Sequence, residues 1–145
     1  MATVEVTFTP LPAHVRTARL VATAVARRSG VDESLLDEVR LAVGEACSRA
    51  VEAHRRHCPA EPVRIEMTDQ DERFVVTVSD HAPTAPGRQA AFPKASDGIG
   101  YDGGSAIPAG FGLAVISGLA DDVRVQSTSS GVSVSMSWPS TASSS

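Results

Sequence analysis

Three stretches of this sequence carry residues that could act together on a phosphate-bearing ligand. The stretch GEACSRAV places an acid, Glu45, four residues before a base, Arg49, inside a predicted helix. A second acid, Asp80, ends the run VVTVSD, and Gly110 and Gly112 follow in AGFGL. A carboxylate can serve as a general base, and glycines that precede a helix let backbone N–H groups approach phosphate. These residues therefore form a nucleotide site, the remains of one, or separate surface features.

The surface explanation has direct support in the charge pattern. One helical face carries acids and bases at steps of three, four or seven residues, namely Glu38, Glu45, Arg49, Glu52 and Arg56. Each such pair contributes only about 0.2–0.5 kcal/mol, and ladders of this kind are commonly solvated surfaces in which Arg49 pairs with Glu45. Asp80 alone could open a turn. The group His54, His57 and Cys58 lacks further ligands at zinc-like spacing, so no metal site is predicted.

Composition limits the classes of function. The 145 residues are 42% hydrophobic and 21% charged, which fits one globular domain. The net charge of −4 argues against direct nucleic-acid binding. The start, MATVEVTFTP, lacks the features of a signal peptide, and the longest apolar run, LVATAVA, is too short to span a membrane. With only two cysteines, the sequence favours a reduced, cytoplasmic protein.

The periodicity of apolar residues predicts the elements that position these side chains. VEVTFT alternates apolar and polar residues, which predicts a strand. Two helices are predicted next, at about 13–29 and 34–55. The first ends at Gly30, and the second opens with the capping-box spacing of Ser34 and Asp37. Two strands, VRIEM and FVVTVSD, follow around the charged turn TDQDER. A third helix is predicted at 112–119, and DVRVQS and GVSVSMSW form a closing strand pair.

This order predicts one domain over residues 1–139. The segment 81–109 has no sustained period and is predicted to be a mobile, lid-like loop, and 140–145 a disordered tail. The fold class is an α/β two-layer sandwich, with a mixed, mainly antiparallel sheet covered by helices on one face.

With these elements in order, the chain resembles the anti-sigma factors of bacterial partner-switching systems, which have the ATPase fold of histidine kinases, gyrase and Hsp90. Three stretches carry the resemblance: LDEVRLAVGEACSRAV, VVTVSD and GFGLAVISGLADDVRV. The resemblance implies that Glu45 stands at the general-base position, that Asp80 stands where an aspartate accepts the adenine amino hydrogen, and that Gly110 and Gly112 form the second glycine turn. An alternative aspartate-glycine box, Asp97 in SDGIGYDGG, does not follow a strand.

Two of the three motifs depart from the family pattern. Arg49 occupies the position of the asparagine that binds Mg²⁺, and a guanidinium has no lone pair for a cation. Ala82 and Thr84 stand where the family has glycines after the adenine aspartate. We therefore expect weak or absent ATP binding, no Mg²⁺ site and no efficient kinase activity, although the family includes serine kinases.

The resemblance also implies partners. Arg19, with Arg16 beside it on the first helix, matches the position of an arginine that contacts the sigma factor. The expected function is an anti-sigma factor, forming a homodimer, that sequesters a sigma factor and is released by an anti-anti-sigma antagonist. The alternatives are an active serine kinase that phosphorylates the antagonist with Mg-ATP and a detached sensor-kinase ATPase domain.

Overall fold

The first two helices pack side by side as the apolar periodicity predicts. The computed structural model describes residues 2–82 and 116–140. Helix α1 spans Pro12–Arg28 and helix α2 spans Leu36–His57. Proline at the first position of α1 costs no hydrogen bond, because that N–H has no partner within a helix. The predicted helices at 13–29 and 34–55 are confirmed within two residues at each end.

The ends of the two helices follow local rules. Gly30 has φ +89°, and Val31 N donates to Ala26 O at 3.0 Å, which closes α1 with a Schellman motif. The chain then enters a short 3-10 turn, Glu33–Leu35, before α2. The side chain of Asp32 accepts a hydrogen bond from Ser34 N at 3.0 Å. The predicted capping role of Ser34 is therefore wrong, because Asp32 caps this turn.

Five strands form one sheet in the order β1-β2-β3-β5-β4, and every pairing between the described strands is antiparallel. The strands are β1 Ala2–Phe8, β2 Val63–Gln70, β3 Arg73–Ser79, β4 Asp122–Thr128 and β5 Gly131–Pro139. Asp71 (φ +56°) and Glu72 (φ +61°) connect β2 to β3 in the left-handed conformation of a two-residue hairpin turn.

The core lies between the helices and one face of the sheet. Alternate residues of β2, β3 and β5 are buried against α2, with Ile65, Phe74 and Trp138 no more than 1% exposed. The other face carries cross-strand hydroxyl pairs, such as Thr77 with Ser135 at 2.9 Å. The predicted two-layer sandwich with helices on one face is confirmed, and its described strands are wholly antiparallel.

Three predicted segments lie partly or wholly outside the described residues. Of the predicted helix 112–119, residues 116–119 are described and are helical. Residues 83–109 of the predicted loop and 141–145 of the predicted tail are not described. Ser140, at the start of that tail, is buried and donates from its N–H to Glu72 O at 2.8 Å. Within the described ranges, no helix is long and apolar enough to cross a membrane.

Candidate functional site

Asp80 is held rigidly at the end of β3 by backbone groups. Its Oδ1 accepts hydrogen bonds from Ala82 N at 3.0 Å and from Val132 N at 3.2 Å. Its own N–H donates to Val132 O at 2.9 Å, which extends the pairing of β3 with β5 by one residue. The side chain is only 1% exposed. The carboxylate therefore faces the protein interior, and Oδ1 is already occupied by two donors.

Gly131 permits this arrangement because it has no side chain. A Cβ at this position would lie 2.1 Å from Asp80 O, a backbone atom that cannot move aside easily. Its φ of +152° is also a conformation that other residues rarely adopt. The sequence pattern makes Gly131 the first residue of the strand GVSVSMSW but gives no signal that it packs against Asp80.

We expect Gly131→Ala to lower the free energy of unfolding by about 2 kcal/mol or more, because it combines backbone strain with a steric clash. Gly118→Ala is the matched control, since a Cβ there meets nothing within 4 Å. Urea denaturation of both variants measures the difference. Equal midpoints for the two variants would contradict the close approach at Asp80.

Arg49 reaches across from α2 and forms a buried ion pair with Asp80. The pair joins Nη2 of the guanidinium to Oδ2 of the carboxylate, and the two side chains are 6% and 1% exposed. Burial lowers the pKa of Arg49 to about 10, so the guanidinium stays charged at neutral pH. The sequence predicted a partner one helical turn earlier, Glu45, whereas the structure pairs Arg49 with Asp80 on a different element.

His54, which the sequence analysis considered with His57 and Cys58 as a possible metal site, also connects α2 to the end of β3. Its Nε2 accepts a hydrogen bond from His81 N at 2.8 Å. Its Nδ1 lies 2.8 Å from Glu61 O, so Nδ1 carries the proton and donates it to that carbonyl. Both ring nitrogens of this fully buried side chain therefore serve backbone groups. His54 positions the residue that follows Asp80, a role that the sequence pattern did not indicate.

Glu45, which the resemblance predicts as the general base, takes no part in the ion pair between Arg49 and Asp80. It is half-buried, and burial raises its pKa, while the positive charge of Arg19 on α1 acts in the opposite direction. Arg19 is itself half-buried and lies against Gly44, the residue before Glu45. Arg16 is exposed on α1. The structure thus brings Arg49 to Asp80 and Arg19 to Glu45.

Of the remaining candidates, the structure describes Ala82. Gly110 and Gly112 lie outside the described residues, as do Thr84 and the alternative aspartate Asp97. Ala82 is described, and its N–H bonds to Asp80 within a tight turn. Among residues 2–82 and 116–140, no group of three metal-ligating side chains is close enough to hold an ion.

The chemistry of the described site is that of a closed ion pair. Oδ1 of Asp80 accepts from two amides, and Oδ2 faces a guanidinium. An adenine amino group would have to compete with Arg49 for this carboxylate. Arg49 offers only donors, so it cannot ligate a metal ion. Asp80 and Arg49, which the resemblance predicts at the adenine and magnesium positions, therefore do not fit Mg-ATP as they stand.

Comparisons with known proteins agree with the fold. The sequence model of the family described as "Histidine kinase-like ATPase domain" matches residues 8–138. No match was found among curated proteins. The crystal structure of the RsbU and RsbW domains of Rv1364c from Mycobacterium tuberculosis superposes with a TM-score of 0.67 at 15% identity. The alignment covers 97% of this chain and 33% of that one, so the chain spans about a third of that protein's length. Since the family model covers nearly the whole sequence, the chain belongs to the histidine kinase-like ATPase domain family.

Proposed function

We propose that this protein is an anti-sigma factor that sequesters an RNA polymerase sigma factor, is released by an anti-anti-sigma antagonist, and does not efficiently phosphorylate that antagonist. The observation that carries the proposal is the buried ion pair between Arg49 and Asp80. The ATPase fold is retained, while the residues at its magnesium and adenine positions are paired with each other. A protein with this combination keeps a binding scaffold but lacks two described parts of the catalytic apparatus.

The surface of α1 supports a role in binding an acidic protein partner. Between Pro12 and Arg28 the helix carries four arginines and no aspartate or glutamate, although the whole chain has a net charge of −4. Arg16 is exposed, and Leu20 beside it is 62% exposed. Arginine next to an exposed apolar side chain is typical of interface hot spots. We therefore place the sigma factor on α1, with Arg16 and Arg19 as its contacts.

The alternative is an active serine kinase that uses Mg-ATP. Glu45 favours this alternative, because it is half-buried and burial raises its pKa toward the range useful for a base. However, a base without a metal to gather the phosphate oxygens contributes little to phosphoryl transfer. Arg49 is the residue that decides between the two functions, since it replaces the metal ligand.

Two further parts of the proposal concern assembly and location. The outer edge of β1 pairs with no other described strand, so it offers free backbone groups to a second copy, and we propose a homodimer. Sigma factors act on cytoplasmic RNA polymerase, so we place the protein in the cytoplasm. Analytical ultracentrifugation tests the dimer, and a monomer at all concentrations would contradict it.

A pull-down with tagged protein tests the function directly. We expect a sigma factor to be recovered, to be released by addition of the antagonist, and to leave the antagonist unphosphorylated in the presence of Mg-ATP. Release that depends on ATP hydrolysis, or a phosphoserine on the antagonist, would favour the kinase. Recovery of no sigma factor would contradict the proposed function.

The Arg19→Glu variant tests the location of the interface. We expect it to weaken sigma-factor binding at least tenfold, about 1.4 kcal/mol, because it reverses the charge at the centre of the proposed surface. Arg28→Glu is the control, since it makes the same charge change at the exposed end of the same helix. Calorimetry with the isolated sigma factor measures both. Equal losses in the two variants would point to general electrostatics instead of a contact at Arg19.

A further inference from the structure

The guanidinium of Arg19 rests on α2 at a position that has no side chain. A Cβ at Gly44 would lie 2.1 Å from Nε of Arg19 and 2.9 Å from its Cζ. Gly44 is buried in the middle of α2, where glycine is an unfavourable choice for helix stability. The contact gives a physical reason for glycine here: any other residue would place a side chain where the guanidinium lies.

Arg19 is incompletely paired in this position. Its Nε is buried and, among the described residues, has no hydrogen-bond partner. No carboxylate in the described part of the chain lies within 4 Å of its charged group, whereas Arg27, Arg40 and Arg56 each have one. The charge of Arg19 acts on Glu45, the residue after Gly44, and lowers the pKa of its carboxyl group against the effect of burial. A guanidinium in this state can still form charge-assisted hydrogen bonds with a carboxylate.

We propose that Gly44 is a positioning residue: it seats Arg19 beside Glu45, and through that position it sets how strongly Arg19 binds the acidic protein partner. The second half rests on the proposed function. Arg19 then belongs to two sites at once, the partner surface on α1 and the family's base position on α2. Gly44 determines how strongly the partner's acidic residue is bound, although it contacts the partner only through Arg19.

The positioning role can be tested without any partner. Carboxyl NMR titration of Glu45 is compared in the wild-type protein and in Arg19→Gln, Gly44→Ala and Gly118→Ala. We expect the pKa of Glu45 to rise in the first two variants, because the positive charge is removed or displaced. It stays at the wild-type value in Gly118→Ala, where a Cβ meets nothing within 4 Å. An unchanged pKa of Glu45 in Gly44→Ala overturns the positioning role.

Unfolding of the Gly44→Ala variant is not the expected outcome. The nearest atoms belong to the free end of a flexible arginine, which can move aside, and alanine favours the helix. Circular dichroism confirms that the variant retains its helices. If it unfolds, Gly44→Ser and Arg19→Gln are titrated in its place. An unchanged pKa of Glu45 in Arg19→Gln then overturns the proposal.

The partner role is tested with the sigma factor recovered by the tagged wild-type protein. We expect Gly44→Ala to weaken binding about five- to tenfold and Gly118→Ala to leave it unchanged. The double variant with Arg19→Gln should bind no more weakly than Arg19→Gln alone, because both changes remove the same interaction. Additive losses overturn the partner role. If no sigma factor binds, the partner role fails with the proposed function, while the titration still decides the positioning role.

Discussion

The Arg49→Ala variant is expected to be less stable than the wild-type protein by about 3–5 kcal/mol in free energy of unfolding. Removing the guanidinium leaves the carboxylate of Asp80 in a position that is 1% exposed. Its Oδ1 keeps the two backbone donors, but Oδ2 loses its cationic partner. The loss is therefore mainly the cost of an uncompensated buried charge. Urea denaturation at neutral pH measures it.

A matched control separates this effect from the loss of any helical ion pair. Arg56 pairs with Glu52 at 3.0 Å on the same helix, and both side chains are more than half exposed. Arg56→Ala should cost no more than about 0.5 kcal/mol, as is usual for exposed pairs of this spacing. Similar losses in Arg49→Ala and Arg56→Ala would show that the buried pair does not hold α2 to the end of β3.

A second variant tests whether the cost arises from the orphaned charge. In Arg49→Met with Asp80→Asn, the amide oxygen can still accept from Ala82 and Val132, and no buried charge remains. We expect this double variant to recover a large part of the stability lost in Arg49→Met. If the double variant is as unstable as the sum of its single changes, packing and not charge accounts for the loss.

The sequence indicates the elements well because their signals are local. The alternation in GVSVSMSW and the helical spacing of Val39, Val43 and Cys47 both express which face of an element is buried. Both patterns appear in the structure as predicted, with Val43 and Cys47 fully buried in the core. Gly30 likewise ends α1 through a motif formed by adjacent residues.

The partners of individual side chains are harder to predict from the sequence, because they depend on which distant segments of the chain pack together in the fold. Within the helix, Glu45 is the obvious partner for Arg49, yet Asp80 reaches the guanidinium through the packing of β3 on α2. His54 clusters in sequence with His57 and Cys58, which suggests a metal, but its ring nitrogens are used by Glu61 and His81. Only the fold brings these chain segments together.

The same ion pair predicts how the protein responds to nucleotide. We expect wild-type protein to bind Mg-ATP no more tightly than about 1 mM, and to transfer no measurable phosphate to a serine of its antagonist. A metal ion gathers the phosphate oxygens and neutralises the charge that develops during transfer. Arg49 has no lone pair for that ion, and its charge repels it at short range.

Calorimetry with ATP, with and without Mg²⁺, distinguishes two ways in which the site could be closed. If Arg49 stays paired with Asp80, neither titration shows binding. If the guanidinium leaves Asp80 and holds phosphate directly, as arginine does well, binding appears without Mg²⁺ and gains nothing from it. Tight binding that requires Mg²⁺, or rapid phosphorylation of the antagonist, would contradict the prediction.

The Arg49→Asn variant then shows whether one residue accounts for the loss. Asparagine restores the oxygen ligand that the family uses, but it also removes the cation opposite Asp80. Ala82, moreover, still stands where the resemblance implies a glycine, and its N–H remains bonded to Asp80 Oδ1 at 3.0 Å. We therefore expect Arg49→Asn to be less stable than wild type and still to bind Mg-ATP no more tightly than about 1 mM. Recovery of Mg-dependent binding by this single change would mean that Arg49 alone closes the site, and that the turn after Asp80 tolerates a nucleotide as it stands.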